Sequence, residues 1–212
     1  GCLGVFIDDD QIRSLEQKMS RDGYLDGTDM ATTFNMLRSS DLIWSFVINH
    51  YLMGDEPLAF DLLYWNSDST RMPAKMHCEY LRTMYLENRF KDPGGMVLDG
   101  VAIDIPSVDT PCYFLSAQED HIAPWRSTFA GASLLKGPVR FVLSGSGHIA
   151  GVVNPPKSNK YGYRTHRRRP KGDADGWFES ATQKEGSWWP DWQQWVSKFS
   201  GTKAKPRKPG TK

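Results

Sequence analysis

The 212 residues carry 26 basic and 25 acidic side chains, a balance that leaves no long-range field to draw nucleic acid or an anionic membrane. That length suits one domain or a domain and a half, and no apolar run of 18 or more residues exists to span a bilayer. Eight tryptophans argue for a large buried core rather than disorder. Cys2, Cys78 and Cys112 have no CxxC spacing, as expected of free thiols in a reducing cytosol, and the cysteines and five histidines show no metal-ligand pattern. Gly1-Cys2-Leu3-Gly4 lacks the basic and long apolar regions of a secretory signal.

From the amino end the pattern is helical. Ile12, Leu15 and Met19 recur at three and four, and Asp22-Gly23 breaks the run. Thr28 or Asp29 can cap a second segment carrying Met30, Phe34 and Leu37. Ser39-Ser40-Asp41 precedes the strongest helical pattern, 42–53, with Ile43, Phe46, Val47 and His50 or Tyr51 on one face and Gly54 as the stop. Phe60 to Asn66 is a short apolar run of open type. A further helix is predicted over 76–90, stacking Met76, Tyr80 and Met84.

The pattern changes character at Asp92-Pro93-Gly94-Gly95. Met96-Val97-Leu98, Asp99-Gly100 and Val101-Ala102-Ile103 read as a hairpin with a two-residue turn. Pro111 to Ser116 reads as a buried parallel strand that delivers Gln118-Glu119-Asp120-His121 at its carboxyl end. A helical segment over 127–135 leads to a second apolar run, 139–143, which ends in Ser144-Gly145-Ser146-Gly147-His148. Adjacent strands thus place Asp120 and His148 at one sheet edge, where sites form in open α/β sheets. An acid after one strand and a histidine after the next is the back half of an α/β-hydrolase triad.

Beyond His148 the chain becomes polar and basic through Lys171, and the run from Arg164 to Arg169 reads as a solvated loop rather than a nucleic-acid patch. A last helix is expected over 192–199, with Trp188, Trp189 and Trp192 packing it on the sheet and Asp191 at the surface. The expected fold is α/β, the carboxyl-terminal part of an α/β-hydrolase with an inserted helical cap. Residues 1–95 form the cap, 96–200 the core with the acid and histidine, and 201–212 a disordered tail. A parallel sheet of two or three strands exposes an edge, so the chain alone is expected to be poorly soluble or partnered.

A triad also needs a nucleophile on a sharp strand-to-helix turn, and no such elbow is present. Cys2 sits in half of one, but no strand precedes it, while Cys78 and Cys112 read as small core residues. Two structural readings stand beside the catalytic one. His148 can be a loop histidine satisfied by its neighbours, and Asp120 can cap the helix that begins near Pro124.

Ser116 to Trp125 resembles the acid motif of the polyhydroxyalkanoate synthases, and Gly145 to Pro156 resembles their histidine motif. Leu3 to Asp8, Leu37 to Trp44, Phe60 to Asn66 and Gly186 to Trp192 also resemble segments of the class I enzymes, with Ser39 standing where their pattern has Pro. The resemblance covers the carboxyl-terminal portion of the catalytic domain. It implies a cytoplasmic acyltransferase on the surface of polyester storage granules, polymerising (R)-3-hydroxyacyl-CoA, such as 3-hydroxybutyryl-CoA, and releasing CoA. It implies a cysteine nucleophile upstream of Gly1, His148 as general base, and Asp120 as the residue that orients His148 or assists hydroxyl activation. Arg38, facing CoA phosphates or pairing with a carboxylate, and His121, which favours a supporting role, are the candidates for substrate contact. No metal and no cofactor beyond the CoA substrate are implied. The implied partners are the growing polyester, a second copy through the cap and granule-associated proteins. An isolated chain without the elbow is expected to be inactive. The alternatives are an esterase or depolymerase with an upstream serine, and a non-catalytic interaction module.

Overall fold

The computed structural model describes residues 7–37, 39–57, 68–207 and 210. Cys2, Arg38 and the apolar run 60–66 lie outside the described residues. The chain separates into two compact units, Gly1–Phe90 and Lys91–Lys212.

In the first unit, α1 (Asp9–Met19) begins where the Asp8 carboxylate accepts from the Gln11 amide at 2.7 Å. Asp9 and Asp10 in the first turn and Lys18 in the last complement the helix dipole. Its stripe buries Ile12 and Met19 completely against Leu25 and Cys78. A two-residue strand, β1 (Tyr24–Leu25), pairs antiparallel with β2 (Met72–Pro73). At the start of α2 (Gly27–Leu37), Asp26 closes the turn instead of Thr28 or Asp29, accepting from both the amide and the hydroxyl of Thr28.

The segment predicted as one helix over 42–53 is wound wide in two places, Ser40–Trp44 and Val47–Leu52. There, amides reach carbonyls five residues back: Ser45 bonds Ser40, and Met53 bonds Ile48. Gly54, at φ +76°, ends it as expected. The predicted face is open, with Ile43, Phe46 and Tyr51 exposed. The next helix, α3 (Ala74–Tyr80), also passes into a wide turn, Leu81–Leu86. It buries His77 and Cys78, while Met76 and Tyr80 of the expected stripe are exposed. Apolar residues lie on both sides of this helix, and the side meeting α1 is the one that packs.

The second unit opens with the predicted hairpin, β3 (Met96–Leu98) and β4 (Val101–Ile103), in register from Met96↔Ile103 to Leu98↔Val101. Asp99 and Gly100 both take positive φ, as the two-residue turn requires. Strand β5 (Cys112–Ala117), helix α4 (Trp125–Leu134) and strand β6 (Val139–Ser144) follow, with β5 and β6 parallel from Cys112↔Val139 to Ala117↔Ser144.

The segment after His148 holds more order than its composition suggests. Strand β7 (Tyr163–Thr165) returns antiparallel to β6, and β8 (Thr182–Lys184), after α5 (Ala174–Ser180), pairs antiparallel with β7. The sheet is therefore mixed and four-stranded, in the order β5-β6-β7-β8. It is not the two or three parallel strands expected. Three-residue strands carrying Arg, Gln and Lys are too short and too polar to show alternation. Part of the basic run is structural, since the Arg164 guanidinium lies 4.3 Å over the Phe178 ring and Arg169 donates to the Lys136 carbonyl. The final helix, α6 (Trp189–Val196), begins three residues before the expected start, with Pro190 in the first turn where its missing N–H costs nothing.

Phe129, Phe141 and Trp177 form the centre of this core, with ring centroids 5.1 to 5.6 Å apart. Trp125, Val139 and Leu143 surround them. Asp191 is buried, with only 3% of its side chain exposed, not at the surface as expected. It accepts from Arg140 Nε at 2.6 Å, from a second Arg140 N–H and from the Tyr113 hydroxyl at 3.1 Å, with Lys184 Nζ at 3.8 Å. One carboxylate thus ties α6 to β5, β6 and β8. Mixed helices and sheet place the chain in the α/β class.

Candidate active site

Strands β5 and β6 end level, and their following loops remain joined. Gln118 donates its amide to the Ser144 carbonyl at 2.8 Å, and Glu119 donates to the Ser146 carbonyl at 2.9 Å. These bonds extend the parallel ladder past the strands and bring Asp120 beside His148. Asp120 Oδ2 lies 2.7 Å from His148 Nδ1.

The carboxylate divides its work between its oxygens. Oδ1 accepts from the amides of Ile122 and Ala123, each at 2.9 Å, which folds the 120–123 turn, while Oδ2 is left for the imidazole. Asp120 does not cap α4, whose first residue is preceded by Pro124. Burial works against the charged form, but the Ala123 amide, the imidazole and the Ile122 amide outweigh it and hold the carboxyl below its usual range. An ionised carboxylate only accepts hydrogen bonds, so Nδ1 of His148 must donate. In the neutral ring the lone pair is then on Nε2, the atom suited to take a proton.

The histidine loop is compact. Gly151 donates to the Gly147 carbonyl at 2.9 Å and Val153 to the Ile149 carbonyl at 2.8 Å, making a single helical turn with His148 near its start. Ser146 holds φ +67°, a left-handed conformation for a residue other than glycine. Gly145 is required by close approach, because a Cβ there would lie 2.4 Å from the Tyr161 carbonyl oxygen. Gly145→Ala is expected to destabilise the second unit by about 1–3 kcal/mol, because backbone must move to admit the methyl. Thermal unfolding measures this, and an unchanged melting temperature would contradict the packing described.

Other sequence candidates fall elsewhere. His121 is exposed, next to Asp120. Cys112 begins β5 and donates to the Thr110 carbonyl, so the length of the strand, at about 3.3 Å per residue, separates it from Asp120. Cys78 is buried in the first unit. Among the described residues, no group of three or more His, Cys, Asp or Glu could hold a metal ion. Sequence reasoning missed the grip of Trp188 and Trp189 on the histidine loop: Trp188 Nε1 donates to the carbonyls of Gly151 and Val152, and Trp189 Nε1 to that of Val152. The Gly-Ser-Trp-Trp-Pro run that leads into α6 was the available signal.

Poly(3-hydroxyalkanoate) polymerase subunit PhaC of Rhizobium meliloti is 56% identical over 210 residues, covering 99% of this chain and 34% of its own length. Poly(3-hydroxyalkanoate) polymerase of Methylorubrum extorquens is 49% identical over 212 residues, covering 100% of this chain and 35% of its own. The PhaC subunit of Cupriavidus necator is 41% identical over 208 residues, covering 96% and 35%. By sequence, the chain belongs to the poly(3-hydroxyalkanoate) polymerase family. It spans about a third of the length of the curated polymerases it matches. No protein-family model matches it. Within this polymerase-related chain, Asp120 and His148 are the acid and imidazole that the fold brings together.

Proposed function

We propose that this chain supplies the acid and base of a polymerase that condenses (R)-3-hydroxyacyl-CoA thioesters, 3-hydroxybutyryl-CoA among them, into polyester with release of CoA. The observation that carries the reading is the 2.7 Å Asp120–His148 pair in a chain related to poly(3-hydroxyalkanoate) polymerases. The nucleophile is a cysteine in the part of the polymerase that this chain does not include, and the second unit is part of an α/β-hydrolase core. The helical first unit is its cap and contributes to a homodimer. The enzyme works in the cytoplasm at the granule surface, needs no cofactor and has the growing polyester and granule-associated proteins as partners. No helix among the described residues is long and apolar enough to cross a membrane.

In the acylation step His148 Nε2 takes the thiol proton. The thiolate attacks the thioester carbonyl, the bond to the CoA sulfur breaks, and CoA leaves with the proton returned by the imidazolium. In elongation the same nitrogen takes the proton of a 3-hydroxyl group. The oxygen forms an ester with the acyl group held on cysteine, and the cysteine sulfur is the leaving group. Asp120 keeps Nδ1 protonated throughout and stabilises the cationic ring.

A full-length polymerase carrying this segment, given (R)-3-hydroxybutyryl-CoA, is expected to release CoA thiol in step with polyester formation. Its acyl group should be trapped on cysteine after rapid quenching. Ester hydrolysis with an acyl-serine and no polymer would replace this reading with that of an esterase or depolymerase. Failure to bind or turn over either substrate would leave a non-catalytic module.

A further inference from the structure

We propose that Trp188 and Trp189 are positioning residues for His148, acting through the carbonyl groups at the end of its turn; this rests on the base role given to His148 above. A helical turn leaves its last carbonyls without internal partners, and a single turn has no further turns to stiffen it. The turn over 147–153 ends in the carbonyls of Gly151 and Val152, the second of which also accepts from the Asn154 amide at 3.0 Å. Trp188 Nε1 donates to the first at 3.1 Å and the second at 3.2 Å, and Trp189 Nε1 donates to the second at 3.1 Å. Ser144 Oγ, at the end of β6, donates to the Gly151 carbonyl from the sheet side at 2.7 Å. Gly151 therefore sits between the strand that leads to His148 and the indole of Trp188.

The same segment grips the turn again one step further on. Ser187 Oγ donates to the Asn154 carbonyl, and the buried Asn154 donates its side-chain amide to the Lys160 carbonyl. Packing leaves little slack, since a Cβ on Gly151 would lie 2.6 Å from the Gly145 carbonyl oxygen and 2.9 Å from the Ala117 Cβ. The indoles are themselves placed by α6, whose Asp191 is clamped by Arg140 and Tyr113. The orientation of the imidazole thus depends on two N–H groups 40 and 41 residues further along the chain, both of which bond the turn rather than His148 itself. Displacing a base by a fraction of an ångström costs rate while leaving substrate binding intact.

The test uses the full-length polymerase. Trp188→Phe combined with Trp189→Phe removes both donors. Replacing the two tryptophans by benzothienylalanine keeps the ring shape and removes only the N–H. Trp192→Phe, an exposed tryptophan on the same helix, is the matched control. Both double variants are expected to lose roughly ten- to hundred-fold in kcat with KM unchanged, by analogy with removal of the hydrogen-bond partners that orient metal ligands. The melting temperature of the benzothienyl enzyme and the activity of the control should remain near wild type. Wild-type kcat in the benzothienyl enzyme would overturn the inference, because shape alone would then suffice. A rise in KM with kcat unchanged would also overturn it. A fully active His148→Gln enzyme would instead remove the reading beneath, so the two failures are distinguishable.

Discussion

His148→Gln in a full-length polymerase carrying this segment is expected to lower turnover by on the order of 10³-fold or more, the scale of triad deletions. Glutamine preserves size and polarity but cannot carry a proton from one step to the next. The loss should fall on kcat in both initiation and elongation. Asp120→Asn should fold, since its side-chain oxygen can still accept from Ile122 and Ala123. The amide nitrogen would then face Nδ1 and donate to it, moving the ring proton to Nε2 and removing the lone pair from the working nitrogen. Initiation and elongation need not fall equally, because a thiol and an alcohol differ in how much help their protons require. Retention of most turnover by the glutamine enzyme would take His148 out of the mechanism.

Asp191→Ala is expected to cost about 3–5 kcal/mol of stability in the second unit, the range for removing one partner of a buried ion pair. Arg140 would lose both of its contacts to the carboxylate with only a quarter of its side chain exposed, and the Tyr113 hydroxyl would lose its acceptor. The effect should depend on pH in a defined direction. Burial opposes ionisation of Asp191, but Arg140, Tyr113 and Lys184 prevail and hold its carboxyl below the usual range. A carboxyl depressed in the folded state adds stability that is complete above the unfolded value and is lost as pH falls through the folded one. The gap between wild type and variant should therefore be widest near neutrality and close in acid. Urea unfolding at a series of pH values measures it, and equal stability at neutral pH would refute the clamp as a source of stability.

The parts of the fold that could be read in the sequence are those whose signals are local. Strands β5 and β6 are six-residue runs bounded by turn formers, and Asp99-Gly100 has few uses other than a tight turn. The juxtaposition of Asp120 and His148 follows from two such strands lying side by side. Long-range pairing hid the rest. Asp191 looks like a surface acid because its guanidinium partner is 51 residues away, on a strand. Strands β7 and β8 gain order from the neighbours they pair with, not from three residues of their own. The helix over 74–86 carries apolar side chains on both sides, and the wide turn at Leu81–Leu86 shifts the phase on which a 3.6-residue stripe depends.

In this segment, about a third the length of the polymerases it matches, the imidazole of His148 leaves nearly half of its side chain uncovered. Were it as open in the whole enzyme, the base would activate water as readily as an alcohol, and water is by far the more abundant nucleophile. On the reading proposed here, whether an acyl group lengthens a chain or is lost as free acid is a kinetic race that the pair itself does not referee. Fidelity has to come from whatever screens the imidazole during each cycle, so variants that loosen that screen should betray themselves by leakage of monomeric acid before any fall in overall rate.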